Sequence, residues 1–145
     1  MTEPFERETE KDGSLALSVV VPILNEEENL ELLCPRLTKV MDSLQESYEI
    51  LFVDDGSSDR SFEAIRKFHL ANPRIKGIRL RRNFGQTAAF SAGFDHSRGD
   101  IVITMDGDLQ NHPEDIPLLL GKIREGFDVV SGWRVMRKDP LLSRR

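Results

Sequence analysis

The chain has 145 residues, the size of one compact domain, and 39% of them are hydrophobic while 31% are charged. This composition is typical of a soluble globular protein and excludes a disordered chain; no apolar run approaches the ~18 residues that a membrane-spanning helix needs. A net charge of −5 argues against bulk attraction to nucleic acid, and a single cysteine, Cys34, excludes an internal disulfide.

Residues 1–14 are polar and aperiodic, which predicts a flexible lead-in. Five short apolar runs rich in Val and Ile then alternate with four longer helical patterns. The predicted strands cover residues 15–21, 48–53, 75–80, 100–105 and 128–131, and the predicted helices cover residues 26–47, 58–71, 86–97 and 113–125. We expect Asn25 and Ser58 to be helix N-caps, Pro113 to lie in the first turn of its helix, and Pro35 to kink or split the first helix.

Strands that alternate with helices predict an α/β fold, in which a parallel sheet is covered by helices on both faces. The strands lack the alternation of one-sided sheets, so we expect them to be buried on both faces. In such sheets ligands bind beyond the carboxyl ends of the strands. The residues that follow each predicted strand are therefore the first place to look for function.

Acidic and amide side chains follow three of these strands. Asn25 and Glu26 follow the first strand, Asp54 and Asp55 end the second, and the fourth runs into a segment with two carboxylates and an amide, Asp106, Gly107, Asp108 and Gln110. So many acids at one sheet edge repel one another unless a cation or hydrogen-bond donors offset their charge. Asp108 and Gln110 supply the hard oxygen ligands that Mg²⁺ or Mn²⁺ prefers, particularly when a diphosphate completes the shell.

Each of these segments also has a purely structural explanation. Asp-Asp-Gly-Ser is a common turn and helix cap, Asp-x-Asp occurs often by chance, and the acids after Asn25 suit a helix N-terminus. His112 lies close to Gln110 in sequence, but the oxygen ligands are already sufficient without it. The order of the segments at successive strand ends is what favours a functional site.

Five segments together resemble the family 2 glycosyltransferases of the GT-A fold, most closely the branch that uses polyprenyl phosphates. They are VVVPILNEEENL, ILFVDDGSSD, RRNFGQTAAFSAGFDHSRGD, ITMDGDLQNHPEDI and VVSGWR, and they span about residues 17–134. Departures from the branch are mild: it often has alanine at Gly107, an aromatic residue at Leu24 and lysine at Gln86. The leucine at position 24 removes a possible stacking partner for a nucleotide base.

The resemblance implies a three-layer, mostly parallel GT-A sheet that forms the donor-binding half of a glycosyltransferase. It implies that Asp55 orients a loop, that Asp108 and Gln110 hold Mg²⁺ or Mn²⁺, and that Arg134 meets the acceptor phosphate or the donor diphosphate. The residues implied to contact the nucleotide sugar are Pro22, Leu24, Glu26, Val53, Asp54, Asp106 and Gly107.

The implied reaction moves a sugar from a UDP- or GDP-linked donor to a dolichyl or undecaprenyl phosphate, with inversion at the anomeric carbon. The bound metal would offset charge on the leaving diphosphate. Three alternatives stay open: transfer to a sugar hydroxyl in polysaccharide or O-antigen synthesis, a phosphoryl transfer that uses Asp106 and Asp108, and a nucleotide-sugar-binding module without catalysis. The phosphoryl transfer is disfavoured because it leaves the other acidic strand ends unused.

The end of the chain is basic, with a net charge of +4 over residues 133–145 against −9 for the rest. This segment is either a solvated tail or a docking site for an anionic partner. The expected organisation is a lead-in at 1–14, a nucleotide-sugar-binding domain at 15–134 and the start of an acceptor-side loop at 135–145, where the chain looks truncated. The resemblance implies that the full-length protein works at the cytoplasmic face of a membrane, and that this soluble piece could bind nucleotide without transferring sugar.

Overall fold

A computed structural model of the chain describes residues 15–132, which fall into two compact units, 15–114 and 115–132. The elements in chain order are β1 (Leu15–Ile23), α1 (Glu27–Ser43), β2 (Tyr48–Asp54), α2 (Ser61–Ala71), β3 (Ile75–Arg79), α3 (Gln86–His96), β4 (Gly99–Thr104), a 3-10 turn (Pro113–Asp115) and α4 (Ile116–Arg124). The sheet belongs to the first unit, and α4 belongs to the second. None of the helices within residues 15–132 has the length and apolar character required to cross a membrane.

The four strands form one parallel sheet in the order β3-β2-β1-β4. The chain adds β2 and then β3 on one side of β1 and afterwards returns to place β4 on its other side. The strand order thus reverses between β1 and β4, and sheets of this type bind ligands beyond the carboxyl ends of the strands at such a reversal.

Helices cover both faces of the sheet. On one face α3 packs on Val20, Leu51 and Val53 through its buried Ala89. Side chains alternate along a strand, so Phe52 and its register partner Gly77 face the opposite side, where Ile65 of α2 lies. The result is the three-layer α/β arrangement that the sequence predicts.

The four observed strands confirm the first four predicted strands to within two residues at each end. Continuous burial holds for β2, in which every residue is buried, and for residues 17–21 of β1. The strands at the sheet edges, β3 and β4, instead show partial alternation between covered and exposed residues. Each edge strand has a neighbour on one side alone, so burial is complete only at the centre of the sheet.

The predicted fifth strand at residues 128–131 is wrong. The structure has no strand between Phe127 and Gly132, and Val129 is 84% exposed. A strand needs a partner along its backbone, and no such ladder forms with this segment in the described part of the chain.

Both predicted N-caps are also wrong, because α1 and α2 begin after Glu26 and Arg60 without a side-chain cap. Asn25 and Ser58 bind each other instead: the Asn25 Oδ1 accepts hydrogen bonds from the Ser58 N–H at 2.8 Å and from its hydroxyl at 3.2 Å. These two residues therefore join the loops after β1 and β2 rather than starting helices.

Helix α1 runs without a break through Pro35, so the predicted split does not occur. An interior proline costs about 3 kcal/mol, but α1 buries Leu30, Leu33, Leu37 and Met41 on one stripe that extends to both sides of it. Pro113 starts the 3-10 turn, and α4 begins three residues later than the prediction.

Candidate functional site

The loops that follow β1, β2 and β4 meet at the carboxyl edge of the sheet, and the loop at residues 80–85, between β3 and α3, joins them. The loops after β1 and β2 are tied together by the Asn25 N–H, which donates to the Ser57 hydroxyl at 2.9 Å, and by the Asn25 side chain described above. Asn25 has a φ of 53°, an uncommon conformation for a residue other than glycine. These bonds hold the turn in that conformation.

Asp54 ends β2 and is fully buried. Its Oδ1 accepts a hydrogen bond from the Ser57 N–H at 2.9 Å. Its Oδ2 is buried too, yet no group in residues 15–132 donates a hydrogen bond to it; the Nε of Arg79 lies 3.7 Å away, which is ion-pair distance only. A buried acceptor without a donor is costly, and such an atom in a native site points to a missing ligand or water.

Asp55 differs from Asp54 in its hydrogen bonds, because both of its carboxylate oxygens have a donor in the protein. Its Oδ1 accepts the Phe84 N–H at 2.8 Å and its Oδ2 accepts the Gly85 N–H at 3.0 Å, so both oxygens hold the loop that leads into α3. Gly56 has a φ of 76°, and a Cβ there would lie 2.4 Å from the carbonyl carbon of Arg82. The two loops thus pack backbone against backbone, in agreement with the prediction that Asp55 orients a loop.

Asp59 joins the loop after β2 to the start of α1 and α2. It accepts hydrogen bonds from the hydroxyl and N–H of Ser61, at 2.6 and 2.9 Å, and from the Glu27 N–H at 3.3 Å. Burial by itself raises the pKa of Asp59, but these donors outweigh it and hold the pKa below its ordinary value. Asp59 is thereby kept as a carboxylate that fixes the loop.

The residues after β1 present a mixed surface. Pro22 is half-buried, Leu24 is 39% exposed, and the Glu26 carboxylate accepts a hydrogen bond from the Asn29 amide at 2.5 Å. Val53, by contrast, is fully buried in the apolar cluster under α3. Its side chain is occupied by core packing, so a contact from Val53 to a nucleotide would come from its backbone.

The turn after β4 carries the predicted metal ligands. Asp106 is half-buried, and its Oδ1 accepts a hydrogen bond from the Gln86 amide at 2.9 Å while its N–H donates to the Asn111 Oδ1 at 2.7 Å. Gly107 is buried against β1, where a Cβ would lie 2.6 Å from the Ile23 Cδ1 and 3.2 Å from the Pro22 carbonyl oxygen.

Asp108 and Gln110 are exposed, and the Asp108 Oδ1 accepts the Gln110 N–H at 3.1 Å. Leu109 between them has a φ of 63°, which turns the chain sharply. The two side chains offer a carboxylate and an amide oxygen, both hard ligands that fit Mg²⁺ or Mn²⁺. Residues 15–132 contain no cluster of three or more His, Cys, Asp or Glu placed to hold a metal.

An ion pair that the sequence did not reveal lies beside this turn. Arg36 of α1 donates two hydrogen bonds to the Glu114 carboxylate, at 2.6 and 2.7 Å, and its Nη2 lies 3.1 Å from the His112 Nδ1. The hydrogen bonds from Arg36 lower the pKa of Glu114 to about 2. The Nδ1 of His112 therefore faces a guanidinium.

Two further predictions have different outcomes. Cys34 is buried in α1, and burial raises the pKa of its thiol to about 11, so it is a packing residue as expected. Arg134 and the basic segment after it lie outside the described residues. The sequence analysis did not predict the hydrogen bond from Gln86 to Asp106. The two residues are twenty positions apart, and nothing in the sequence shows that the first residue of a helix reaches this carboxylate.

A search of curated proteins finds relatives of known activity. The chain is 50% identical over 126 residues to the undecaprenyl-phosphate 4-deoxy-4-formamido-L-arabinose transferase of Salmonella choleraesuis, which covers 86% of this chain and 38% of the relative. The chain thus spans about two fifths of the length of the curated relatives it matches.

Solved structures share the fold at lower identity. A fragment of Staphylococcus aureus TarS in complex with UDP-GlcNAc superposes with a TM-score of 0.61 at 23% identity, covering 77% of this chain and 32% of that one. A mannosyltransferase from Pyrobaculum calidifontis in complex with GDP-Man and Mn²⁺ has a TM-score of 0.55 at 21% identity, with 74% and 31% covered. The fold is that of the GT-A glycosyltransferases. The profile of glycosyl transferase family 2 matches residues 18–145, and the chain belongs to that family.

Proposed function

We propose that the full-length protein transfers a sugar from a nucleoside-diphosphate donor to a polyprenyl phosphate, and that residues 15–132 contain its donor-binding half. The family and the name of the 50% identical Salmonella relative support this reaction. Structural neighbours that hold UDP-GlcNAc or GDP-Man support the donor class. The observation that carries donor binding is the buried Oδ2 of Asp54, which has no hydrogen-bond donor in the described part of the chain.

Asp54 is proposed to recognise the base of the donor. An ionised carboxylate only accepts hydrogen bonds, so its Oδ2 selects a base that carries a ring N–H, as uracil and guanine do. Cytosine presents a lone pair at the position where uracil has that N–H. Pro22, Leu24, Glu26 and the backbone of Val53 complete the nucleotide pocket in this proposal.

Asp106 and Gly107 are proposed to face the ribose and the diphosphate, and Asp108 and Gln110 to hold Mg²⁺ or Mn²⁺. The metal, when bound, supplies positive charge that stabilises the departing nucleoside diphosphate. The protein's own part is to fix these oxygens in place. Gly107 keeps the turn pressed against β1, and the Asn111 side chain holds the backbone of Asp106.

A phosphate acceptor simplifies the remaining chemistry. The second pKa of a phosphate monoester is about 6, so its oxygen is already anionic near neutral pH and needs no general base. Direct attack of that oxygen on the anomeric carbon forms the new bond as the bond to the diphosphate breaks, which inverts the configuration. Arg134 is proposed to grip the acceptor phosphate, since a guanidinium can donate two parallel hydrogen bonds to it.

Donor binding is tested by thermal denaturation of the full-length protein with UDP or GDP, in Mn²⁺ or in EDTA. We expect one of the diphosphates to stabilise the protein more in Mn²⁺ than in EDTA. In Mn²⁺, a hundredfold excess over its dissociation constant should raise the free energy of unfolding by about 2.7 kcal/mol relative to the ligand-free protein. Asp108→Ala should abolish the Mn²⁺ increment. Equal stabilisation in EDTA would contradict the metal assignment, and no stabilisation by any nucleoside diphosphate would contradict donor binding itself.

The acceptor is tested by transfer from the donor to undecaprenyl phosphate in vesicles, with a free sugar acceptor as the comparison. The basic residues after Arg134 suit an anionic membrane surface at about 1 kcal/mol each, and this charge supports the proposal that the reaction takes place at the cytoplasmic membrane face. Arg134→Ala should reduce transfer far more than it weakens diphosphate binding, and Arg134→Lys should restore transfer only in part. Unchanged transfer in Arg134→Ala would remove Arg134 from acceptor binding, and transfer only to a sugar hydroxyl would replace the proposed acceptor.

A further inference from the structure

Gln86 connects two parts of the candidate site that the sequence separates. It is the first residue of α3, and its side-chain Nε2 donates a hydrogen bond to the Asp106 Oδ1 at 2.9 Å. Asp106 belongs to the turn after β4. Gln86 follows the loop at residues 80–85, whose N–H groups bind to Asp55. The bond therefore links the turn to which the diphosphate is assigned with the loop at residues 80–85, which is held by Asp55, the neighbour of Asp54.

The position of Gln86 is fixed from both sides. Before it, the Phe84 and Gly85 N–H groups are bound by the Asp55 carboxylate, at 2.8 and 3.0 Å. After it, α3 is anchored in the core by Ala89, which is fully buried, and by Gly93, where a Cβ would lie 2.3 Å from a methyl of Val20. The backbone of Gln86 is thereby held on both sides, and its amide reaches the Asp106 oxygen from that fixed point.

We infer that Gln86 is a positioning residue of the donor site, which orients the Asp106 carboxylate and couples it to the loop held by Asp55. This inference rests on the proposed function, since it assumes that Asp106 faces the donor. A donor bound at the base end of the site thereby meets the carboxylate already in its final orientation.

Three substitutions separate this role from a role in starting the helix. Gln86→Lys keeps a hydrogen-bond donor, Gln86→Met has similar length without one, and Gln86→Glu sets a second carboxylate against Asp106. Negative charge in the first turn of a helix is favourable, so a residue that only starts α3 would accept glutamate as well as glutamine or better. Thr87→Ala, at the exposed next position of the same helix, is the matched control.

The experiment measures, in the full-length protein, the melting temperature and the dissociation constants of UDP and GDP with Mn²⁺. We expect the dissociation constant to rise about tenfold in Gln86→Met and further in Gln86→Glu, and to stay within about threefold of wild type in Gln86→Lys and Thr87→Ala. Gln86→Glu should nevertheless melt no lower than wild type.

The outcomes distinguish the two proposals. Wild-type protein that binds neither diphosphate would contradict the proposed function and this inference with it. Wild-type binding that Gln86→Met and Gln86→Glu leave unchanged would contradict the positioning role alone. So would losses of affinity that follow the melting temperatures, or a loss of equal size in Thr87→Ala.

Discussion

Two buried carboxylates on the same strand, β2, have opposite surroundings. Glu49 lies near the amino end and is fully buried, and its Oε1 accepts hydrogen bonds from the Ser18 hydroxyl at 2.6 Å and the Arg98 N–H at 2.7 Å. Its Oε2 accepts one from the Lys76 ammonium at 2.7 Å. Asp54, equally buried at the carboxyl end, has one hydrogen bond on Oδ1 and, from residues 15–132, none on Oδ2.

The difference separates a carboxylate whose two oxygens both receive hydrogen bonds from the protein from one whose Oδ2 receives none from the described residues. Burial raises the pKa of Glu49, but Lys76, Ser18 and the Arg98 N–H outweigh it and hold that pKa below its ordinary value. Every donor around Glu49 comes from the protein, so the network is complete without a ligand. At Asp54 the protein bears the cost of a buried acceptor that a bound molecule could satisfy. Burial alone therefore does not distinguish the two carboxylates; the hydrogen bonds that their oxygens receive from the described residues do.

The largest effect is expected from Glu49→Ala. The substitution leaves the Ser18 hydroxyl and the Arg98 N–H without their acceptor, and each buried donor left unsatisfied costs about 1–3 kcal/mol. The Lys76 ammonium loses its partner too, but its side chain is 37% exposed, so water can solvate it. Urea denaturation of the full-length protein should show this loss of stability, while the remaining folded protein binds nucleoside diphosphate as wild type does. An unchanged unfolding midpoint would show that the Glu49 network is not needed for the fold.

Asp54→Ala should have the reverse pattern. We expect diphosphate binding to weaken by roughly 1.5–3 kcal/mol, the usual contribution of a hydrogen bond to a charged group, and the fold to lose much less than in Glu49→Ala. Calorimetric titration with UDP and GDP measures the first quantity and urea denaturation the second. Equal affinity in wild type and variant, with the fold intact, would make Asp54 a structural residue.

The pH dependence of stability sharpens the same contrast. Because the pKa of Glu49 is lower in the folded state, its stabilisation is fully present above its unfolded pKa of about 4.3 and is lost as the pH falls through the folded pKa. Unfolding free energies between pH 6 and pH 3 should therefore decline less steeply in Glu49→Gln than in wild type. Parallel curves for the two proteins would remove Glu49 as a source of acid sensitivity.

The smallest effect is expected for a third carboxylate, Glu114, which forms an ion pair with Arg36. The side chain of Glu114 is 53% exposed and that of Arg36 is 38% exposed. Solvent screens such pairs, so Glu114→Ala should cost only about 0.2–1 kcal/mol even though its pKa is lowered to about 2. Denaturation in low and high salt measures this contribution. A loss as large as that of Glu49→Ala would mean that exposure is a poor guide to the strength of these pairs.

The sheet was predictable because its signals are local. Each of the four strands is a run of apolar residues bounded by polar ones, and their alternation with helices implies a parallel sheet. The segment 128–131 has the same local pattern, yet Val129 is exposed and the described chain offers no partner strand. Pairing is a property of two segments, so a single run of residues cannot establish it.

The site was predictable as a set of acids at strand ends but not as a set of contacts. Asp54 and Asp55 are adjacent and chemically identical, and only their hydrogen-bond partners distinguish them. Asp54 has one oxygen without a donor in the described residues, whereas both oxygens of Asp55 bind the N–H groups of residues 84–85. Arg36 and Glu114 are separated by 78 positions, and Asn25 and Ser58 resemble helix caps until the loops are seen together. These pairings depend on the three-dimensional arrangement of loops, for which one sequence carries no direct signal.

Gly107 packs closely against β1, and this contact links substitutions at positions 107 and 23, which are far apart in the chain. A methyl group at position 107 would collide with the Cδ1 at the flexible end of Ile23, whereas the Pro22 carbonyl oxygen, at 3.2 Å, requires only a small shift. Alanine at 107 should therefore be tolerated when position 23 loses that terminal methyl, as in Ile23→Val. We expect Gly107→Ala to lower the melting temperature alone and to be compensated by Ile23→Val, so that natural sequences with alanine at 107 carry a shorter residue at 23. Positions 23 and 107 would then coevolve, because a shorter residue at 23 makes alanine at 107 tolerable.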